Sequence, residues 1–167
     1  NESLLQAHAC DGFVVGGMVN QVRRQDALAA AEHTCKQRGN RLTPIRRRVL
    51  ELVWAGHGPV KAYDVLDILR NERRSAAPPT VYRALEFLLA QGLVHKIESL
   101  NAYVGCGKPG HQDSGQFLIC SDCGEIAELE DPELVSLIAK KALQFGFSIQ
   151  DQIIEIKGCC AQCADTD

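Results

Sequence analysis

A chain of 167 residues with 46% hydrophobic content can bury a core as one domain or two small ones, and its formal charge of −3 argues against a simple nucleic-acid coat protein. The average hides a split: residues 1–106 carry 14 basic and 10 acidic side chains, whereas residues 107–167 carry 4 and 11. Two domains facing different partners are expected, a polyanion for the first and a cation or another subunit for the second.

No basic segment followed by an apolar run marks a secretory signal, and no stretch is long enough to span a membrane. The expectation is a cytoplasmic chain whose eight cysteines stay reduced and serve metal or redox chemistry before disulfides. Residues 1–24 read as a loosely held arm without strong periodicity. Residues 25–38 form an Ala-rich helical pattern that Gly39 stops. Thr43-Pro44 then supplies an N-cap and a first-turn proline, and Ile45, Val49, Leu52 and Val53 make an apolar stripe up to Gly56. Arg46, Arg47 and Arg48 fall on the outer face as phosphate contacts or solvated charges.

A helix from about Ala62 to Arg70 buries Val65, Leu66 and Leu69, and another begins after Pro78-Pro79 and ends at Gly92. On that last helix Val81, Leu85, Leu88 and Leu89 make one stripe, leaving Tyr82, Arg83 and Glu86 on the opposite side. An aromatic donor and a guanidinium near a helix N-terminus suit a recognition helix, because both phosphates and base edges are then in reach. Tyr63 on the preceding helix is placed to help. Leu93–Glu98 and Ala102–Cys106 read as strands around a Ser99-Leu100-Asn101 turn, the wing that commonly follows a helix-turn-helix, with Lys96 available to the DNA backbone. Residues 41–83 hold nine Lys and Arg against four Asp and Glu, the local excess expected of a phosphate footprint, Arg73 and Arg74 included. Residues 25–104 are therefore expected to be a winged-helix DNA-binding domain.

Residues 105–167 carry the metal chemistry. Cys120-Ser-Asp-Cys123 and Cys160-Ala-Gln-Cys163 are two C-x2-C pairs, and four thiolates satisfy a tetrahedral zinc ion at about 2.3 Å. Gly124 permits the tight return of a hairpin. Between the pairs, a strand over 125–129, a helix over 132–145 capped by Asp131-Pro132, and a strand over 147–157 return the chain to its starting edge. Cys159 adjoins Cys160 and offers an alternative C-x3-C spacing. Where the halves meet lie His95, Cys106, His111 and Glu128, an N2SO set that suits Zn(II) and would latch inter-domain geometry. Each of the four alone has a commonplace reading. His8, His33 and His57 receive no assignment.

Leu42-Thr-Pro-Ile-Arg46, Ala62-Tyr-Asp64, Thr80-Val-Tyr-Arg-Ala-Leu85, Gly92-Leu-Val-His95 and the two C-x2-C pairs together resemble the ferric uptake regulator family, most closely its zinc uptake regulator branch, over about residues 25–164. The resemblance implies an α+β protein: an N-terminal winged helix hinged to a C-terminal α/β dimerisation domain. It also implies a structural zinc at Cys120, Cys123, Cys160 and Cys163 and a regulatory zinc at His95, Cys106, His111 and Glu128, two ions per chain. The His-rich run usual in iron-responsive relatives is reduced here to Gly110-His111-Gln112, and the Cys106 thiolate favours zinc.

The function expected is that of a zinc-responsive repressor. It would bind palindromic double-stranded DNA as a homodimer through Tyr63, Tyr82 and Arg83, with no membrane and no small-molecule substrate. A thiol or peroxide sensor on the same scaffold is the alternative, with Cys10, Cys35 and Cys159 as spare thiols. A zinc hydrolase lacks support, since no helical H-E-x-x-H pattern occurs.

Overall fold

The structure is a computed structural model that describes residues 21–56, 58–72, 76–106 and 115–164. His8, Cys10, His57, Arg73, Arg74, His111 and most of the expected N-terminal arm lie outside the described residues.

Helix α1 (Gln21–Gln37) starts earlier than the sequence pattern suggests, and it turns Leu28, Ala31 and Cys35 inward. Gly39 closes it with a φ of +68°, a conformation that a side chain resists. Helix α2 (Pro44–Ala55) begins at Thr43-Pro44 as expected, although the Thr43 side chain forms no capping hydrogen bond. It buries Val49, Leu50, Leu52 and Val53. Helix α3 (Ala62–Glu72) buries Ala62, Val65, Leu66 and Leu69, and helix α4 (Pro78–Ala90) buries Val81, Ala84, Leu85 and Leu88. These side chains, with Leu93, Val94 and Tyr103, form one continuous core.

After Gly92, strand β1 (Val94–Ile97) pairs antiparallel with strand β2 (Ala102–Gly105), from Val94 opposite Gly105 to Ile97 opposite Ala102. A short 3₁₀ turn, Glu98–Leu100, joins them, with Asn101 in the left-handed region at φ 47°. This is the expected wing, held to the helices by a two-way backbone bridge between Val60 and Tyr103. At the wing's far end the indole of Trp54 packs closely against Gly105. A Cβ there would come within 2.2 Å of the ring.

The C-terminal sheet has the order β4-β3-β5, with β3 Gln116–Cys120, β4 Ile126–Glu128 and β5 Ile154–Gly158. Strands β3 and β4 form a hairpin, and β5 runs parallel to β3 with Gln116 opposite Ile154 and Cys120 opposite Gly158. Helix α5 (Pro132–Gln144) provides the crossover, its start capped by Asp131 Oδ1, which accepts from the amides of Glu133 and Leu134. One turn of helix, α6 (Ala161–Ala164), follows β5.

The expected strand over 147–157 is corrected to Ile154–Gly158. The five residues of β3 provide pairing for only that much chain, so residues 147–153 run without a ladder. The chain also returns to the far side of β3, not to the edge of β4.

A second, smaller core joins the two regions: Ile97 of the wing packs with Phe117 and Ile119 of β3, and Leu100, Val104 and Ile126 close around them. No helix among the described residues is long and apolar enough to cross a membrane.

Candidate metal centres and nucleic-acid face

The four-cysteine cluster is built by backbone before any side chain acts. Cys120 ends β3, and the chain turns through Ser121–Gly124, with Gly124 at φ +74° and the Cys120 amide donating to Glu125 O at 2.8 Å. The Ser121 amide donates to Gly158 O at 2.8 Å, which ties this turn to the end of β5 just before Cys160. Cys160 and Cys163 stand one helical turn apart, the Cys163 amide donating to Cys160 O at 3.0 Å.

The four sulfurs all lie within 4.8 Å of one another, and Cys123 Sγ is 3.7 Å from Cys160 Sγ. A tetrahedron of sulfurs about 2.3 Å from a central zinc has edges of about 3.8 Å, so the residues fit the ion. Electrostatics agree. Amide groups of Cys123, Cys160 and Asp122 point at Cys120 and pull its thiol down to about 6. Cys163 is pushed up by the thiols of Cys160 and Cys123; at Cys123 the Glu125 amide favours the thiolate, but the Cys120 and Cys160 thiols outweigh it. Four thiols this close cannot all ionise until a cation shares the charge. The spacing ambiguity also has a geometric answer: Cys160 joins the four, whereas exposed Cys159 groups with Cys120 and Asp122. The hydrogen bond to Asp122 pushes the Cys159 thiol up to about 11.

The second cluster lies at the seam. His95 projects from β1, Cys106 follows β2, and Glu128 ends β4; their ligand atoms lie within 4.8 Å of one another. His95 Nε2 is buried and 3.1 Å from Glu128 Oε1, yet the alignment makes no proper hydrogen bond. Burial opposes a charge on this imidazole, but Cys106 and Glu128 outweigh it and push its pKa up to about 9. Nitrogen, thiol and carboxylate converging on one point, with a buried ring nitrogen poorly satisfied, fit a borderline-soft divalent cation. The Phe117 ring packs against the imidazole in a T-shaped pair, at a centroid distance of 5.3 Å, and so limits its orientation. His111, the fourth expected ligand, belongs to the segment outside the described residues.

The candidate nucleic-acid face is on the helical half. Tyr63 is 66% exposed at the start of α3, and Tyr82 is 41% exposed beside exposed Arg83 at the start of α4. Tyr63 and Tyr82 line one shallow recess with Lys61, Asn101 and Tyr103, so both helices and the wing meet there. Arg83 makes no ion pair among the described residues.

The α2 arginines lie on the partly exposed outer face, as expected, and each has a partner there. Arg46 lies 3.5 Å over the Phe87 ring, and Arg47 pairs with Glu51 and Glu32. Arg48 is held by Glu51 and by two oxygens of Glu72. Lys96 is likewise engaged, by Glu98 at 2.6 Å.

Sequence reasoning missed two residues at the seam. Phe117 orients His95, and Glu155 on β5 accepts from the amides of Glu98 at 2.6 Å and Ser99 at 3.1 Å in the wing turn. Only the pairing of β5 with β3 brings Glu155 there, and no local pattern announces it.

Around these sites the chain resembles known proteins over most of its length. The sequence model described as the ferric uptake regulator family matches residues 37–157. A zinc uptake regulation protein of Escherichia coli (strain K12) is 43% identical over 146 residues, covering 86% of this chain and 84% of the relative. One of Mycobacterium tuberculosis (strain ATCC 25618 / H37Rv) is 32% identical over 105 residues, covering 61% and 78%. Among solved structures, holo XcZur superposes with a TM-score of 0.79 at 48% identity, covering 84% of this chain and 99% of that one. A zinc uptake regulator complexed with zinc and DNA gives 0.77 at 44% identity, covering 84% and 95%.

Proposed function

The chain belongs to the ferric uptake regulator family, and from that premise we propose that it is a cytoplasmic zinc-responsive transcriptional repressor, not an enzyme, which binds palindromic operator DNA as a homodimer when zinc-loaded and represses zinc-uptake genes. The observation that carries this reading is the convergence of His95, Cys106 and Glu128 across the seam between wing and C-terminal sheet. A thiolate in that set selects zinc over harder cations. Similarity to the zinc uptake regulation protein of Escherichia coli and to a regulator complexed with zinc and DNA supports the same assignment.

Two ions per chain are proposed, a structural zinc at Cys120, Cys123, Cys160 and Cys163 and a regulatory zinc at His95, Cys106, Glu128 and His111. When bound, zinc would supply a cross-link of the β3–β4 turn to α6 and of the wing to the sheet. The protein's own groups do the rest. Phe117 holds the His95 ring in place, the Ile97 cluster keeps water from the seam, and Tyr63, Tyr82 and Arg83 present the contacts to phosphates and base edges. The unit over 25–104 reads DNA, and the unit over 105–167 dimerises. Support for the dimer is the apolar surface that α5 and its surroundings leave open: Leu137, Leu143, Phe145, Phe147 and Ile153 are all exposed. A two-fold dimer implies a palindromic site.

Among the described residues, the spare thiols Cys35 and Cys159 do not favour the thiol-redox alternative. Cys35 is fully buried with its thiol pushed up by that burial, and exposed Cys159 is kept protonated by Asp122.

The test is binding to a palindromic operator at fixed salt with buffered free zinc, after confirming that the four-cysteine ion is retained. Affinity rises steeply with zinc, and Cys106→Ser abolishes the rise. Tight binding at every zinc level would leave a constitutive DNA-binding protein with purely structural zinc.

A further inference from the structure

The contact between Glu155 and the wing is made by protein groups alone. The first amides of a helical turn have no carbonyl of their own to bond, and Glu98 and Ser99 stand at the start of the 3₁₀ turn. Glu155 divides its carboxylate between them, Oε1 to Glu98 and Oε2 to Ser99, so each oxygen accepts one amide. A negative group suits that end of the turn. The Glu98 carboxylate, which would repel it, is turned to Lys96 at 2.6 Å.

The position matters as much as the bond. Glu155 sits opposite Phe117 in the β3–β5 register, and Phe117 is the residue whose ring orients His95. Strand β1 is therefore held to the sheet along its length: at His95 by the seam cluster, at Ile97 by the small core, and just past its end by Glu155. The last two holds use none of the seam's metal-ligating side chains.

We propose that Glu155 is a positioning residue that fastens the wing in the DNA-competent arrangement independently of metal, and so sets how much free zinc is needed to complete the switch. This rests on the zinc-switch reading above. An ion that binds only the closed seam has an apparent affinity proportional to the fraction of molecules already closed. Removing the carboxylate lowers that fraction, and more zinc is then required for the same DNA occupancy.

Glu155→Ala and Glu155→Gln in the full-length dimer, with the four-cysteine ion retained, test this in operator binding against buffered free zinc. For Glu155→Ala the midpoint moves to about three- to tenfold higher zinc, with a smaller shift for Glu155→Gln, whose amide oxygen still accepts one bond. Affinity at saturating zinc stays within about twofold of the parent. A midpoint that coincides with the parent's overturns the proposal, as does an affinity loss of equal factor at every zinc level, which marks static packing only. Amide hydrogen exchange at Glu98 and Ser99 without seam zinc or DNA supplies a second readout. Protection in the parent that disappears in Glu155→Ala supports the fastening, and equal exchange in both refutes it. Should the parent bind DNA without regard to zinc, the switch reading fails by itself, and the exchange measurement still decides the contact.

Discussion

Helices α2, α3 and α4 seat Val49, Leu50, Val65, Leu85 and Leu88 at 0% exposure in a shared core, whereas α5 in the same chain has no buried residue at all. The helical half completes its own interior, so its order follows from apolar stripes meeting one another. The C-terminal half has a three-stranded sheet, one uncovered helix and a four-thiol corner. On the proposed reading, its order depends on what is added to it, an ion at the corner and a second copy on the open face. The contrast suits the proposed switch: a head that keeps its shape, carried on a base whose assembly would respond to conditions.

Experiments that break the base should leave the head intact. The largest effect is expected for Cys123→Ser, which removes one sulfur of the tetrahedron. Dimer and C-terminal order are lost together, as sedimentation and amide exchange will report, while protection of α2–α4 persists. Loss of protection in both halves would show that they fold as one unit. Leu85→Ala attacks the head instead. Loss of a fully buried side chain costs about 2–5 kcal/mol, read from denaturant unfolding, with zinc at the four cysteines unchanged. Phe147→Asp, on the open face, weakens the dimer about 100-fold, equivalent to about 2.7 kcal/mol, without loss of monomer helicity. A dimer of parental strength would move the interface elsewhere. The smallest effect is at Gly124, where a side chain meets no neighbour but must adopt φ +74°. Gly124→Ala costs about 1–2 kcal/mol, visible as a lower melting temperature of the C-terminal half.

What the sequence disclosed was local. Thr43-Pro44, Pro78-Pro79 and Asp131-Pro132 mark three helix starts correctly because a proline's restricted φ and missing amide act within one turn. The C-x2-C pairs and the His95, Cys106 and Glu128 donors were legible as residue types, and the fold brings them together. Strand β3 was harder, since Gln116–Cys120 is buried on both faces but for Leu118 and shows no alternation. The parallel pairing of β3 with β5 lies nearly forty residues apart in sequence, and with it went Phe117 beside His95 and Glu155 beside the wing. The partners of Arg46 and Arg48 were not legible for the same reason. Glu72, which takes Arg48, comes from another helix, and Phe87 beneath Arg46 from a third.

The lone tryptophan of the chain rests on Gly105, the residue before Cys106. Indole emission shifts in colour and yield when its packing or its contact with water changes, and here every such photon originates one residue from the seam. Excited at the red edge of the aromatic band, the unlabelled protein therefore carries its own optical gauge of that joint. Titrations and rapid-mixing traces can follow the joint directly, with no dye attached and no second indole to blur the signal.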